Sequence, residues 1–443
     1  MHQYLALIVI AFATTAVAAE GDPAARIKAA ATAACRGQVP DIDRIAETLP
    51  AVIEVEEKPL INRGRRFGWR GALTLADGGR IEIERIAPGG RLRRLGVTYY
   101  APDAPGLRSA EADLRTAKAG AGQARPMMTA LLGPDCVIAL GRRLVYGPGG
   151  RVRALEHLDR DLAPIGTPEP LDPPVPAAGD AAKDARGVPV AMVDSGVNYL
   201  LAEIARRLAR DRAGRPLGYD FWDLDDRPFD SNPARSPFFP QRHGTRTASV
   251  LLREAPEARL VPYRYPRPDM SRMAKIVDHA AANGVLIVCI TLGSNDIADW
   301  RAFATAAPAR PEMLFVVSAG NNGRDIDARP VYPAALDAGN IIVVTSADAS
   351  GRLGRGSNWG RRSVDLLVPG EETPVTDFYG RAGISSGSSF AAPRIAALAA
   401  RLLSAHPDWR APELRAAIFA RARKTAATAE IVSQGLIADP SSP

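Results

Sequence analysis

Four short runs in the second half of the chain, VPVAMV, VLIVCITL, MLFVVSA and NIIVVTSA, constrain the fold more than any other feature. Each is apolar at nearly every position and bounded by small residues, and helix-like stretches such as SRMAKIVDHAAANG separate them. A strand with one face in water alternates apolar and polar residues, whereas a run apolar throughout needs cover on both faces. ARLVPYRY is expected to add another strand. The pattern predicts an α/β body: a doubly wound, mostly parallel sheet with helices on both faces. In such sheets ligands sit beyond the carboxyl ends of the strands, so the residues just after each run are the ones to read for chemistry.

After VAMV comes Asp194-Ser195-Gly196, a carboxylate at a strand end followed by a glycine that permits a sharp turn. After VVSA come Gly320-Asn321-Asn322-Gly323, where an amide could donate to an oxyanion. Between them, in QRHGTRTASVLL, His243 precedes a helix-like run from Thr245 to Leu252. Near the end, SSGSSFAAP (Ser385 to Pro393) leads into the apolar helix-like FAAPRIAALAARLL, which places the serine before Phe390 at a helix start. A serine hydroxyl becomes a nucleophile only with a base, a group that orients the base, and donors for the developing oxyanion. These stretches hold one of each.

Taken together, the motifs resemble the subtilase family, the subtilisin-like serine proteases. VAMVDSG is similar to its aspartate motif, HGTRTA (His243 to Ala248) to its histidine motif, Ala319-Gly320-Asn321 to its asparagine motif, and GSSFAAP (Gly387 to Pro393) to its serine motif, in the family's order. GYDFWDLDDRPFD, TLGS, SNWG and VDLLVPG are similar to its connecting text, and the likeness runs from about Gly187 to Ala426. The resemblance implies that Ser389 attacks the scissile carbonyl, His243 takes and returns the proton, and Asp194 holds the imidazole. It implies an oxyanion hole from Asn321 and the Ser389 backbone N–H, assisted by the Ser388 hydroxyl. Leu292-Gly293 and Ser318-Ala319-Gly320 would line the cleft that takes an extended polypeptide substrate. Arg246 and Phe390 depart from the family's frequent histidine and methionine, which bears on specificity. No cofactor or metal is expected: the acidic stretch Asp220 to Asp230 lacks a known metal-loop spacing and reads as a solvated loop.

The rest of the chain is read as a signal peptide (1–19), a smaller α+β domain (20–160), a Pro/Ala-rich connector (161–186), the peptidase domain (187–430) and a tail (431–443). The first rests on the apolar stretch Tyr4 to Val17 and the small-x-small pattern of Ala16-Val17-Ala18 at its end, so a secreted or periplasmic protein without a membrane span is expected. The α+β domain opens with the helix-like AARIKAAATAAC and carries two hairpin signals, LTLADGGRIEIE and IALGRRLVYGPGGRVRAL. Export makes a Cys35–Cys136 disulfide with Cys289 as a buried thiol the favoured reading, with three free thiols the alternative. This domain is either a pro-region that blocks the cleft as an intramolecular inhibitor or a permanent accessory domain. The net charge of +7 comes from scattered arginines without interleaved aromatics, which argues against nucleic acid as a partner.

Overall fold

The computed structural model describes residues 22–35, 42–49, 51–62, 65–101, 127–147, 152–177, 187–231, 236 and 238–442. The expected signal peptide lies outside them. The chain divides into two units, Met1–Asp172 with Ser236–Phe239, and Pro173–Arg235 with Pro240–Pro443.

In the first unit, helix α1 (Pro23–Cys35) buries Ile27, Ala30, Ala31 and Ala34, which recur at helical spacing, and α2 (Ile42–Ala46) follows. Eight strands form one antiparallel meander in chain order: β1 (Val52–Asn62), β2 (Arg65–Leu75), β3 (Arg80–Ile86), β4 (Arg94–Tyr100), β5 (Met128–Leu132), β6 (Ile138–Tyr146), β7 (Val152–Leu158) and β8 (Pro164–Pro170). The two hairpin signals are β2–β3 and β6–β7. In β3, Ile81 and Ile83 are buried between partly exposed acids, and they pack with α1, Trp69 and Val97. Cys35, at the end of α1, is disulfide-bonded to Cys136 in the turn after β5, with Cα atoms 6.0 Å apart.

The connector differs from its reading. Pro164–Pro170 is strand β8, paired with β7, and its prolines are tolerated because it is an edge strand that need not donate on both sides. Pro173 and Pro176 belong to the second unit, where their carbonyls accept from Tyr199 Oη at 2.5 Å and from Arg210 at 2.8 Å. Residues 178–186 lie outside the described residues.

The second unit runs β9 (Val188–Asp194), α3 (Ala202–Ala205), β10 (Tyr219–Asp220), α4 (Gly244–Glu254), β11 (Ala258–Arg264), α5 (Met273–Ala282), β12 (Ile287–Ile290), α6 (Arg301–Ala306), β13 (Leu314–Ser318), β14 (Ile341–Ala347), β15 (Leu366–Pro369), the β16 (Thr373–Thr376) and β17 (Ala382–Ser385) hairpin, α7 (Ser388–Ala405), α8 (Ala411–Phe419), α9 (Ala426–Ala429) and β18 (Gly435–Leu436). The main sheet has the order β10-β11-β9-β12-β13-β14-β15-β18, and every neighbouring pair is parallel. The apolar runs are continuous because each strand serves two cores. Val190 and Met192 of β9, Cys289 of β12 and Val316 of β13 enter one with α4 and α7, while Ala191, Val193, Val288 and Val317 enter the other with α5 and α6. Each buried Val or Ile contributes about 1.5–3 kcal/mol. The chain winds from β9 toward β11 on one side and β12 on the other, so the sheet switches direction at the carboxyl end of β9, where Asp194 stands.

The expected tail is part of this unit. Val432 and Ile437 are buried, and the Gly435–Leu436 strand between them pairs with β15. Among the described residues no helix is long and apolar enough to cross a membrane.

Candidate active site

Asp194 closes β9 and is only 4% exposed. His243 Nδ1 lies 2.8 Å from each of its carboxylate oxygens. The carboxylate also accepts from the Ser195 backbone N–H at 2.6 Å, from Thr247 Oγ1 at 2.9 Å and from Thr291 Oγ1. Burial works against its charge, but the neighbouring imidazole and these donors outweigh it and hold the Asp194 pKa below the ordinary carboxylate range. Burial likewise opposes charge on His243, and Asp194 outweighs it, so the imidazole is held above its ordinary value. A carboxylate on Nδ1 fixes the tautomer and leaves a lone pair on Nε2 that can accept a proton.

His243 stands at the N-cap position of α4 with its ring on Asp194, not on the helix N–H groups. The next residue must be glycine, because a Cβ on Gly244 would sit 2.0 Å from the Gly196 carbonyl oxygen, and this close approach brings the histidine loop against the aspartate turn. Ser195 stitches the two: its hydroxyl accepts from the Gly244 N–H at 2.8 Å and donates to Asp230 at 2.6 Å.

Ser389 is the second residue of α7 and only 8% exposed. Its hydroxyl donates to the Thr291 carbonyl at 3.4 Å, and Thr291 also holds Asp194. Asp194, His243, Ser389 and Asn321 line one open cleft, with a free volume of about 650 Å³, together with Leu292 and Gly293. Asn321 Oδ1 accepts from the Ser388 N–H at 3.0 Å and from its hydroxyl at 3.1 Å, which makes the other amide atom the NH₂ donor. Gly387, at φ +122°, passes so close that a Cβ there would meet the Asn321 amide at 2.9 Å.

Ser388 is fully buried, accepts the Gly320 N–H at 3.0 Å, and ties the asparagine loop to the start of α7. Ser318 closes β13 and is buried, as is Ala319 after it, and Gly320 leads from them to Asn321.

The acidic stretch is solvated only in its middle, at Asp223 and Asp226, and both of its ends are buried. Asp220 is 1% exposed and pairs with buried Arg264 at 2.8 Å; burial pushes its pKa up to about 6 against that arginine's charge. Asp230 is fully buried and accepts from Ser195 Oγ, from Thr245 Oγ1 at 2.6 Å and from the Thr245 N–H at 2.9 Å. A buried carboxylate needs such partners. They come from elsewhere in the chain, so local sequence gives no sign of them. Thr291 and Thr247 were missed for the same reason, although both stand inside motif text, TLGS and HGTRTA.

A carboxylate-supported imidazole, a serine at a helix start and an amide donor, gathered beyond the carboxyl ends of parallel strands, make the layout of a serine hydrolase centre on an α/β sheet. The family model described as "Subtilase family" matches residues 185–435, more than half of the chain. The chain belongs to the subtilase family. It is 29% identical over 274 residues to a thermophilic serine proteinase of Bacillus sp. (strain AK1), covering 59% of this chain and 62% of that one. With alkaline serine exoprotease A of Vibrio alginolyticus it shares 28% identity over 250 residues, 54% of this chain and 42% of the relative. The matches thus span less than two thirds of either relative. A crystal structure of a cold adapted subtilisin-like serine proteinase aligns over 60% of this chain and 94% of its own, with 25% identity and a TM-score of 0.47.

Proposed function

We propose that this protein is an exported serine endopeptidase that hydrolyses polypeptides through an acyl-enzyme. Ser389 Oγ adds to the scissile carbonyl as His243 Nε2 takes its proton. Asp194 keeps the tautomer and stabilises the imidazolium that forms, and the proton then passes to the leaving amine. Water repeats the sequence on the acyl-enzyme and releases the acid. The Asn321 amide and the Ser389 backbone N–H are the donors for the oxyanion. Leu292 and Gly293 pair with the extended substrate as an added strand.

The observation that carries this reading is the pairing of His243 Nδ1 with both Asp194 oxygens at 2.8 Å in the cleft that Ser389 also lines. Export is supported by the Cys35–Cys136 disulfide, a bond that persists in oxidising compartments. A fluorophosphonate probe tests the mechanism: it is expected to label Ser389, and to fail on Ser389→Ala and His243→Ala. Labelling that persists on Ser389→Ala would overturn the assignment.

A further inference from the structure

The cleft is electrostatically one-sided. Its lining includes one acidic side chain, Asp194, which is engaged by His243, and two arginines, Arg246 and Arg267. Arg267 has a partner in Asp299, at 3.6 Å. Arg246 is half-buried, and among the described residues no carboxylate pairs with it. It stands in the first turn of α4, whose Gly244 and Thr245 N–H groups are taken by Ser195 Oγ and by Asp230, and no acid within that turn pairs with it. It is also near enough for its charge to act on the His243 imidazole. A partly desolvated guanidinium that lines a substrate cleft without a carboxylate partner is completed by an anion from the ligand.

We propose that Arg246 makes the cleft a reader of substrate carboxylates, so that polypeptides with a negative charge beside the scissile bond are preferred. This rests on the polypeptide-cleft reading above and adds its substrate class. The carboxylate has two sources, an Asp or Glu side chain or a free C-terminus close to the bond. The guanidinium presents a planar fork that binds either one through two parallel N–H···O bonds. The net charge of +7 favours encounter with acidic chains.

The test uses the full chain and fluorogenic peptides that differ only by Glu or Gln at each position around the cleaved bond, each with an amidated or a free C-terminus. At one position Glu is expected to raise kcat/KM about tenfold over Gln, the worth of one charge-assisted pair. A gain confined to free C-termini would identify the terminal carboxylate as the ligand. Arg246→Gln should bring the Glu/Gln ratio to about one, and Arg246→Glu should favour Lys over Gln at that position. Binding of the same peptides to Ser389→Ala, read by fluorescence anisotropy, should reproduce the ratio without turnover. Cleavage with no Glu preference would sink this inference and leave the peptidase reading intact. A Glu preference in binding without any cleavage would do the reverse. Equal or absent binding of both peptides to Ser389→Ala, together with no cleavage, would overturn both.

Discussion

The Ser195 hydroxyl donates to Asp230 at 2.6 Å while it accepts the backbone N–H of Gly244, so a second buried carboxylate holds the histidine loop from behind. Asp194 orients the His243 ring, and Asp230 fixes the backbone that carries it. Asp230→Ala leaves the Ser195 and Thr245 donors buried without their acceptor. It should destabilise the second unit by about 3 kcal/mol, measured by urea unfolding. Asp230→Asn keeps one acceptor and the shape, so it should lower kcat by about tenfold with KM little changed. An unchanged kcat in both variants would show that the loop holds its place without Asp230.

A pH profile follows from the groups around His243, which are Asp194, Asp230 and Arg246. Burial disfavours the imidazolium, but the two aspartates outweigh burial and Arg246, so its pKa is raised. A general base must be neutral, and kcat/KM should therefore fall as pH drops through a midpoint above about 6.5. Asp194→Asn should move that limb to lower pH and cut kcat by about ten-thousandfold. Stability has the opposite sense for the histidine. Its raised pKa gives a contribution fully present below the unfolded value and lost as pH rises through the folded one. The lowered Asp194 pKa gives a contribution present above the unfolded carboxylate value and lost as pH falls through the folded one. The pair thus contributes most between about pH 4 and 6.5. The loss of urea midpoint in Asp194→Asn should be larger at pH 5.5 than at pH 9, and an equal loss at both would refute the linkage.

What the sequence discloses is set by distance along the chain. The β9, β11, β12, β13 and β14 strands are legible because burial on both faces is written in consecutive residues, Val190 to Val193 in β9 for instance. Strand β8 was hidden: its three prolines resemble connector text, and only the neighbouring β7 makes Pro164–Pro170 a sheet edge. β18 is two residues long and owes its existence to β15. Asp194, His243, Asn321 and Ser389 are marked by glycines and helix starts beside them. Asp230 has no local mark, since its burial depends on Ser195, 35 positions away. Ser388 is ambiguous in the sequence because a hydroxyl next to Ser389 suits either an oxyanion or the Asn321 amide, and only the fold shows its contact with the amide.

That choice leads to a third prediction. Asn321→Ala should lower kcat roughly a hundredfold to a thousandfold with little change in KM, the range seen when a subtilisin loses its oxyanion amide. Ser388→Ala keeps the backbone N–H to Asn321 Oδ1 and loses the hydroxyl link, so a smaller loss of about tenfold is expected. If Ser388→Ala cost as much as Asn321→Ala, the Ser388 hydroxyl itself would be touching the oxyanion.

Reduction offers a fourth. The Cys35–Cys136 bond closes a separation of 101 residues, and on chain-entropy grounds its loss costs about 4–5 kcal/mol. Dithiothreitol should lower the thermal transition of the first unit and leave that of the second in place, since Cys289 is buried and unbonded. A shift of both transitions in calorimetry would couple the disulfide to the peptidase unit.

Maturation provides the last. Exported subtilases commonly carry an N-terminal pro-region that is cut away, and the meander that precedes this peptidase unit occupies that place. A protease cleft takes extended chain, so a cut must fall where the backbone can be handed over without breaking existing hydrogen bonds. Residues 164–170 are committed to β7, and Pro173 and Pro176 accept from Tyr199 and Arg210. A cut before Pro176 would break these bonds, which leaves the stretch between Pro176 and the start of β9. Wild-type protein expressed in an oxidising compartment should therefore yield a fragment whose N-terminus falls between 178 and 187, whereas Ser389→Ala should retain the meander. N-terminal sequencing and intact mass decide the matter. Wild-type protein that stays joined to its meander yet hydrolyses peptides would make the meander a permanent accessory domain, and a cut that persists in Ser389→Ala would assign processing to another protease.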